Sequence, residues 1–169
     1  NIIYLLDKDN YVSQVISYYD TKNIKEEVEK RLNILINGED NLNDFNTTIP
    51  KNTKINKIEI KEDNIYIDFS SHIKEINPYI EEKMIESIIY TLTEINGINN
   101  VYLSIDNKEY KYLKNGKELN YPLNRKYGIN KLYDLTNLND INKVTTYFIK
   151  EINDYKYYVP VTKVSNQKD

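Results

Sequence analysis

The sequence is poor in the residues that build the commonest reactive sites. Its 169 residues include no cysteine, one histidine and only four glycines. Without cysteine there are neither disulfide bonds nor thiolate metal sites, and a single histidine, His72, cannot supply a cluster of imidazole ligands. The few glycines form no phosphate-binding loop, nucleophile elbow or dinucleotide fingerprint. We therefore predict no metal, no cofactor and no enzymatic activity.

Long apolar runs are also missing. No stretch approaches the roughly 20 residues that a helix needs to span a bilayer. The chain begins at Asn1 and not at a methionine. We therefore expect an upstream region, which could carry a signal peptide or a lipid anchor.

The composition that remains is that of a globular domain. Hydrophobic residues make up 40% and charged residues 29%, with a formal net charge of -3. Disordered chains are less hydrophobic or more highly charged, and nucleic-acid-binding domains usually carry a basic face, so neither class is predicted. The 17 tyrosines and the many Asn, Ile and Lys residues all have A/T-rich codons. We attribute them to the genome of a low-GC bacterium in preference to a tyrosine platform on which carbohydrates stack.

The first part of the chain predicts a hairpin and then a helix. Apolar runs at residues 2–6 and 11–18 flank the turn residues 7–10, which is typical of strand, turn, strand. Asn23 and Glu26 have the spacing of a helix-capping pair. Helical spacing is then kept by Ile24, Val28, Leu32, Leu35 and Ile36, and Gly38 can end the helix.

The middle of the chain predicts a second hairpin, a second helix and a further strand. Period-two alternation on both sides of the polar turn 62–64 indicates a hairpin with one buried face. Asn77 is a suitable N-cap and Pro78 suits the first helical position, and the apolar face that follows closes at Gly97. Together the pieces predict an α+β fold, a two-layer sandwich of a small β-sheet with two helices.

The tail resembles the opening hairpin in its pattern and turn chemistry. Residues 144–148 and 155–164 are strand-like, and Asn153-Asp154 lie between them. We predict one full domain at residues 1–130, followed by a linker and the opening strands of an incomplete second repeat at residues 131–169. The alternative is that the tail adds strands to the sheet of the first domain.

The order of these pieces resembles the GerMN domain of bacterial sporulation and spore-germination lipoproteins. The matching landmarks are Ile3-Tyr4-Leu5, Leu35-Ile36-Asn37-Gly38, Thr48-Ile49-Pro50-Lys51-Asn52-Thr53-Lys54, Ile65-Tyr66-Ile67-Asp68-Phe69-Ser70, Ile89-Tyr90-Thr91-Leu92-Thr93, Val101-Tyr102-Leu103-Ser104-Ile105-Asp106, Tyr121-Pro122-Leu123-Asn124-Arg125 and Tyr127-Gly128-Ile129-Asn130. The segment Tyr157-Tyr158-Val159-Pro160-Val161-Thr162-Lys163 resembles the start of a second copy, which here lacks its helices and later strands.

The resemblance implies a βαββα core similar to the ring-building motif of secretion-type assemblies. It also implies an exported, membrane-anchored lipoprotein in the space between mother cell and forespore, which supports the channel joining the two cells. The partners implied are envelope proteins of the channel or engulfment complex, or further copies of the chain, and no nucleic acid.

Several residues have side chains that could take part in catalysis or bind a metal, but a structural role explains each of them better. His72 could be a lone acid–base group, but we expect an exposed side chain after a strand end. Asp68 is the best single candidate for a catalytic acid, although it lies on the polar side of its strand. The acidic residues Glu26, Glu27, Glu29, Glu81 and Glu82 suit the first turns of helices. Asp7-Lys8-Asp9-Asn10 lacks the glycine and distal glutamate of a calcium loop, so we predict a turn.

Two further segments carry alternatives. We predict that Tyr90-Thr91-Leu92-Thr93 packs in the interior, with Leu92 in the core stripe and Thr91 and Thr93 off it. Tyr157-Tyr158-Val159-Pro160 could instead be an exposed edge for strand addition by a partner. Three functions follow, in order of preference: a protein-interaction module of an envelope assembly, a peptidoglycan-binding module of the cortex or of germination, and an enzyme acting on the cell wall through Asp68. The binding surface stays open.

Overall fold

The computed structural model describes residues 1–166 and has an α+β architecture. The helices are α1 (Ile24–Asn37) and α2 (Glu81–Thr93). The strands in this part of the chain are β1 (Ile2–Leu6), β2 (Val12–Ile16), β3 (Ile55–Lys61), β4 (Asn64–Phe69), β5 (Asn100–Ile105), β6 (Lys108–Glu109), β7 (Leu132–Asp134), β8 (Asn142–Ile152) and β9 (Tyr155–Ser165). The predicted class and the predicted order of hairpin, helix, hairpin, helix and strand are confirmed.

The strands are divided between two sheets, where the sequence led us to expect one small sheet. The first sheet has the order β1-β2-β9-β7, with β8 paired to β9, and the second has the order β3-β4-β5-β6. Strands β4 and β5 are parallel, so α2 forms the crossover between them. Helix α2 contacts β5 of the second sheet and β1 of the first, and the buried apolar side chains of both sheets and both helices form one core.

The capping signals at the two helices have different outcomes. The Asn23 side chain accepts a hydrogen bond from the Glu26 amide, as predicted for the start of α1. The predicted start of α2 at Asn77 and Pro78 is wrong by about one turn, because the Asn77 side chain and carbonyl close a separate turn before the helix begins at Glu81. Helix α2 also ends at Thr93, before Gly97.

The outer edge of β1 is completed by groups that lie outside the sheet. The Tyr4 amide donates to Thr91 Oγ1 at 3.1 Å, and the Tyr4 carbonyl accepts from Ser87 Oγ at 2.6 Å. The Ile2 carbonyl accepts from the buried guanidinium of Arg31, and Leu6 exchanges backbone hydrogen bonds with Asn46. These partners lie along the whole of β1, so side chains of helices α1 and α2, together with the backbone of Asn46, occupy the place that a further strand would take.

The tail hairpin joins the first sheet through very little regular pairing. Strands β2 and β9 share a single residue pair, Gln14 with Tyr158. Beside it, the buried side chain of Asn130 accepts from the Val12 amide and donates to the carbonyls of Val12 and Pro160. The side-chain amide of Asn130 therefore supplies the hydrogen bonds between β2 and β9 that the strand backbones would otherwise make.

Asp7 is a second connection between the opening hairpin and the tail. One carboxylate oxygen accepts the amides of Asp9 and Tyr11 and closes the predicted turn. The other accepts from Lys150 Nζ at 2.8 Å and from the Tyr157 hydroxyl at 2.9 Å. Burial opposes the charged form of Asp7, but these hydrogen bonds hold the pKa of its carboxyl below its ordinary value.

The tail does add strands to the first sheet, which was the alternative considered for it. The domain boundary at residue 130, and the assignment of residues 131–169 to the opening of a second repeat, stay predictions. Residues 167–169 of that segment lie outside the described part of the chain.

Removing the Thr91 hydroxyl tests the edge of β1. We expect Thr91→Val to lower the free energy of unfolding by about 1–3 kcal/mol, because the buried Tyr4 amide loses its acceptor. Thr91→Ser keeps the hydroxyl and is the matched control, which should lie closer to the wild type. Chemical denaturation measures both. A valine variant as stable as the wild type would show that this hydrogen bond contributes nothing.

Removing the Asp7 charge tests the attachment of the tail. We expect Asp7→Asn to destabilise the fold by about 1–3 kcal/mol near neutral pH, because the bonds to Lys150 and Tyr157 are weakened. The pKa of Asp7 is depressed in the fold, so its stabilisation is present above the ordinary aspartate pKa of about 3.9 and is lost as the pH falls through the folded value.

The control is the exposed Asp9, which also contacts Lys150 Nζ, at 2.7 Å. We expect Asp9→Asn to change the stability by no more than about 0.5 kcal/mol. Melting curves between neutral and acid pH should show the gap between the wild type and Asp7→Asn closing as the pH falls. A gap that is independent of pH would contradict the role given to the Asp7 charge.

Candidate interaction surfaces

The carboxylate that stood out in the sequence, Asp68, is held by hydrogen bonds. It accepts from the Ser104 hydroxyl, the Asn56 side-chain amide and the Asn107 backbone amide. Burial disfavours its charge, but these donors, helped by the charge of Lys57, keep the pKa of Asp68 below its usual value. Asn107 lies in the turn between β5 and β6, and Asp68 is buried although it lies on the polar side of its strand. A carboxylate with this pKa is a poor general acid at neutral pH.

The other candidates also have internal partners. His72 is half-buried and not exposed as expected, and its Nδ1 lies 3.0 Å from the Ser70 hydroxyl. Glu81 is buried and accepts from the Tyr110 hydroxyl and the Lys114 amide. Within residues 1–166, no three carboxylate or histidine side chains converge on a point where a metal ion could bind.

A cluster of charged groups joins α2 to the segment around residue 130. Glu82 accepts from Lys117 Nζ at 2.6 Å and from the Tyr127 hydroxyl at 2.7 Å. Lys131 Nζ lies 3.5 Å from the buried Glu86 and 3.6 Å from the centroid of the Tyr127 ring. Burial raises the pKa of Glu86 in spite of Lys131, and burial lowers the pKa of Lys131 in spite of its two acidic neighbours. These groups fix Asn130, whose backbone amide donates to Glu86.

The segment from Tyr90 to Thr93 is packed, as predicted, with one correction. Tyr90 and Leu92 are buried in the core. Thr91 is also fully buried and not off the core, because its hydroxyl accepts from β1. Arg125 stacks on the Tyr90 ring with its guanidinium carbon 4.6 Å from the centroid.

The exposed edge of the first sheet is β8 and not β9. Strand β9 pairs with β8 along its whole length and with β2 and β7 on its other side, so Tyr157-Tyr158-Val159-Pro160 is not a free edge. On β8, Tyr147, Phe148 and Ile149 are 50%, 56% and 66% exposed, and Tyr158 opposite Ile149 is 50% exposed. Tyr147 and Ile149 project from one face of β8, with Tyr158 beside Ile149, and Phe148 projects from the other face. Exposed apolar side chains along an open strand edge are typical of a surface that contacts another macromolecule.

A row of tyrosines crosses the second sheet. Tyr66 and Tyr102 are register partners on parallel strands, and their rings stack at 4.5 Å with 13° between the planes. Tyr121 continues the stack, with its centroid 5.8 Å from that of Tyr102. Ser104 and Glu109 line the same shallow depression. The alternation in the sequence places Tyr66 and Tyr102 on the polar sides of their strands. That the two rings stack could not be predicted from it, because the stacking depends on the parallel register of β4 and β5.

Comparison with known proteins identifies the family. The family model described as "Germane: Sporulation and spore germination" matches residues 2–111. The spore germination protein GerM of Bacillus subtilis (strain 168) is 33% identical over 168 residues, which cover 95% of this chain and 45% of that protein. The chain therefore spans less than half the length of this relative. No helix in residues 1–166 is long and apolar enough to cross a membrane.

Solved structures agree with the family model. The tandem GerMN domains of the sporulation protein GerM from Bacillus subtilis match with a TM-score of 0.87 at 30% identity, over 97% of this chain and 60% of that structure. The first GerMN domain of the same protein matches with a TM-score of 0.66 at 27% identity, over 74% of this chain and 96% of that structure. The GerMN resemblance is confirmed, and the chain belongs to the Germane family of sporulation and spore germination proteins.

Proposed function

We propose that the chain is a non-catalytic interaction module of an exported, lipid-anchored sporulation protein. In this proposal it lies between mother cell and forespore and supports the assembly or stability of the channel complex that joins them. The observation that carries the proposal is the open, apolar edge strand β8. Its partners are envelope proteins of the channel or engulfment complex.

The arrangement of polar groups supports a contact role. Asp68, Glu81 and Glu82 all have their oxygens engaged by internal donors. In contrast, Phe148 and Ile149 present apolar side chains to solvent on a strand with a free edge. A buried apolar contact gains about 25 cal/mol per Å², so a partner that covers the exposed side chains on either face of β8 would favour association.

A ring-building motif, which is part of this proposal, is the reason for choosing a channel complex. The stretch from β2 to α2 has the βαββα succession expected of such a motif. Self-association through β8 is the alternative mode, because two open strand edges can pair with each other.

A second candidate function is peptidoglycan binding, which the tyrosine row favours. Aromatic side chains and nearby polar groups are suited to sugar rings, and Tyr66, Tyr102 and Ser104 lie together on an exposed sheet. However, both faces of the Tyr102 ring are covered by neighbouring rings. A sugar would therefore meet the outer face of Tyr66 and the ring edges, which is a smaller contact than a free ring face offers.

Site-specific photo-cross-linking tests the interaction module. A photoreactive phenylalanine analogue is placed at Phe148 in the full-length protein, and cells are irradiated midway through sporulation. We expect cross-links to envelope proteins of the channel or engulfment complex, since the side chain at this position faces outward on β8.

The matched control has the same analogue at Tyr79, an aromatic residue that is 91% exposed in the turn before α2. We expect few cross-links there. If position 148 captures no envelope protein, or the same proteins as position 79, the proposed function is wrong. Cross-links between two copies would favour self-association instead.

Co-sedimentation with purified peptidoglycan tests the second candidate. If the tyrosine row binds sugar, the double variant Tyr66→Ser/Tyr102→Ser should lower the binding constant about fivefold, which corresponds to roughly 1 kcal/mol. The control is Tyr79→Ser/Tyr112→Ser, which removes two exposed tyrosines outside the row. Equal binding by both variants, or no binding by the wild type, would exclude this role for the row.

A further inference from the structure

A groove runs between helix α1 and strand β3. One wall is a single face of α1, formed by Lys25, Glu29, Asn33 and Asn37, which recur at intervals of four residues. The other wall and the floor come from the segment Asn52 to Ile58. Strand β3 is the end of its sheet, so the groove lies along an open strand edge.

The backbone of β3 has hydrogen-bonding groups available on that side. Lys61 and Asn64 close the two-residue turn between β3 and β4 and form a hydrogen-bonded pair. Along an antiparallel ladder, hydrogen-bonded pairs alternate with pairs that are not hydrogen-bonded. The N–H and C=O groups of Ile58 and Ile60 therefore point away from β4. Ile58 lines the groove, and Ile60 continues the same edge just beyond it. Groups at alternate residues have the spacing that a further strand requires.

The floor of the groove contains a polar group without a partner. Thr53 is 6% exposed and lines the groove. Its hydroxyl has no hydrogen-bond partner within the described residues. Buried hydroxyls are normally satisfied, but this oxygen is itself shielded from solvent, so an occupant of the groove could bond to it only after the Thr53 side chain rotates.

The charge of the groove favours an acidic occupant. Lys25 and Lys54 line it without an acidic partner among the described residues, while Lys57 is paired with Glu59 at 3.4 Å and Glu29 is the one acidic residue of the lining. The side chain of Asn52 adds an amide donor, whereas those of Asn37 and Asn56 already donate to Asn33 and Asp68. We propose that an extended, acidic peptide segment of a partner protein binds in this groove by adding a strand to β3.

A second copy of β3 is a poorer occupant. Lys57, Glu59 and Lys61 lie on the same side of the strand, and both lysines pair with Glu59. In the antiparallel register that pairs Ile58 of one copy with Ile60 of the other, Glu59 lies opposite Glu59 and Lys57 opposite Lys61, so like charges meet. The same lysines that disfavour self-pairing attract carboxylates.

The inference rests on the proposed function in one respect, that the chain acts by binding other proteins. The test is selection of random peptides from a displayed library on the full-length protein. We expect enrichment of acidic, β-branched sequences without proline. Synthetic forms of these peptides should bind Lys25→Glu/Lys54→Glu at least about tenfold more weakly than the wild type. The control Lys8→Glu/Lys108→Glu changes the net charge equally outside the groove and should bind as the wild type does.

Strand addition is separated from simple charge attraction by N-methylation. Each selected peptide is methylated at alternate backbone nitrogens, in the two phases. One phase should abolish binding and the other should preserve it, because alternate amides of an added strand face β3. Peptide binding should also slow hydrogen exchange at the amides of Ile58 and Ile60.

The proposal is overturned if no peptide is enriched, if the groove variant binds as the control does, or if both methylated forms bind alike. These outcomes are independent of the cross-linking result at Phe148. Envelope cross-links without groove binding would leave the proposed function standing and remove the groove. Groove binding without envelope cross-links would support the groove and contradict the proposed function.

Discussion

Backbone groups on the outer edge of β1 must find hydrogen-bond partners away from water, because both faces of this strand are buried. The partners are side chains of the two helices: Arg31 of α1, and Ser87 and Thr91 of α2. Hydrogen bonds are directional and short, so they fix the distance of each helix from the first sheet. Since α2 also packs on β5, the same contacts set the position of the second sheet.

The sequence predicts those elements whose signals are local. Asn23 and Glu26 mark the start of α1 because the capping bond spans only three residues. The alternation in β4 indicates the burial of Ile65, Ile67 and Phe69, although Asp68 on the other phase is buried as well. The start of α2 was misplaced because Asn77 can close a turn as well as cap a helix, and the outcome depends on the residues packed around it. The division into two sheets depends on pairing between distant strands, which no local pattern records.

The candidate surfaces were harder to predict for the same reason. Asp7 was recognised as a turn residue, and it does close the turn, but its second oxygen binds Lys150 and Tyr157 from the far end of the chain. The segment Tyr157-Tyr158-Val159-Pro160 was an alternative candidate for an exposed edge, yet β8 pairs with the whole of β9. The groove between α1 and β3 combines one face of a helix with one edge of a strand. Each is visible in the sequence, but their proximity is not.

The connections made by Asn130 and Asp7 also bear on the order in which the chain folds. Asn130 bonds to Val12 across 118 positions, and Asp7 bonds to Tyr157 across 150. A ribosome releases a chain from its N-terminus, so β1 and β2 are made well before the residues that pair with the open side of β2. Contacts this distant close slowly. During synthesis the β2 side of the hairpin therefore stays unpaired for longer than the β1 side, which the helices cover as soon as they form.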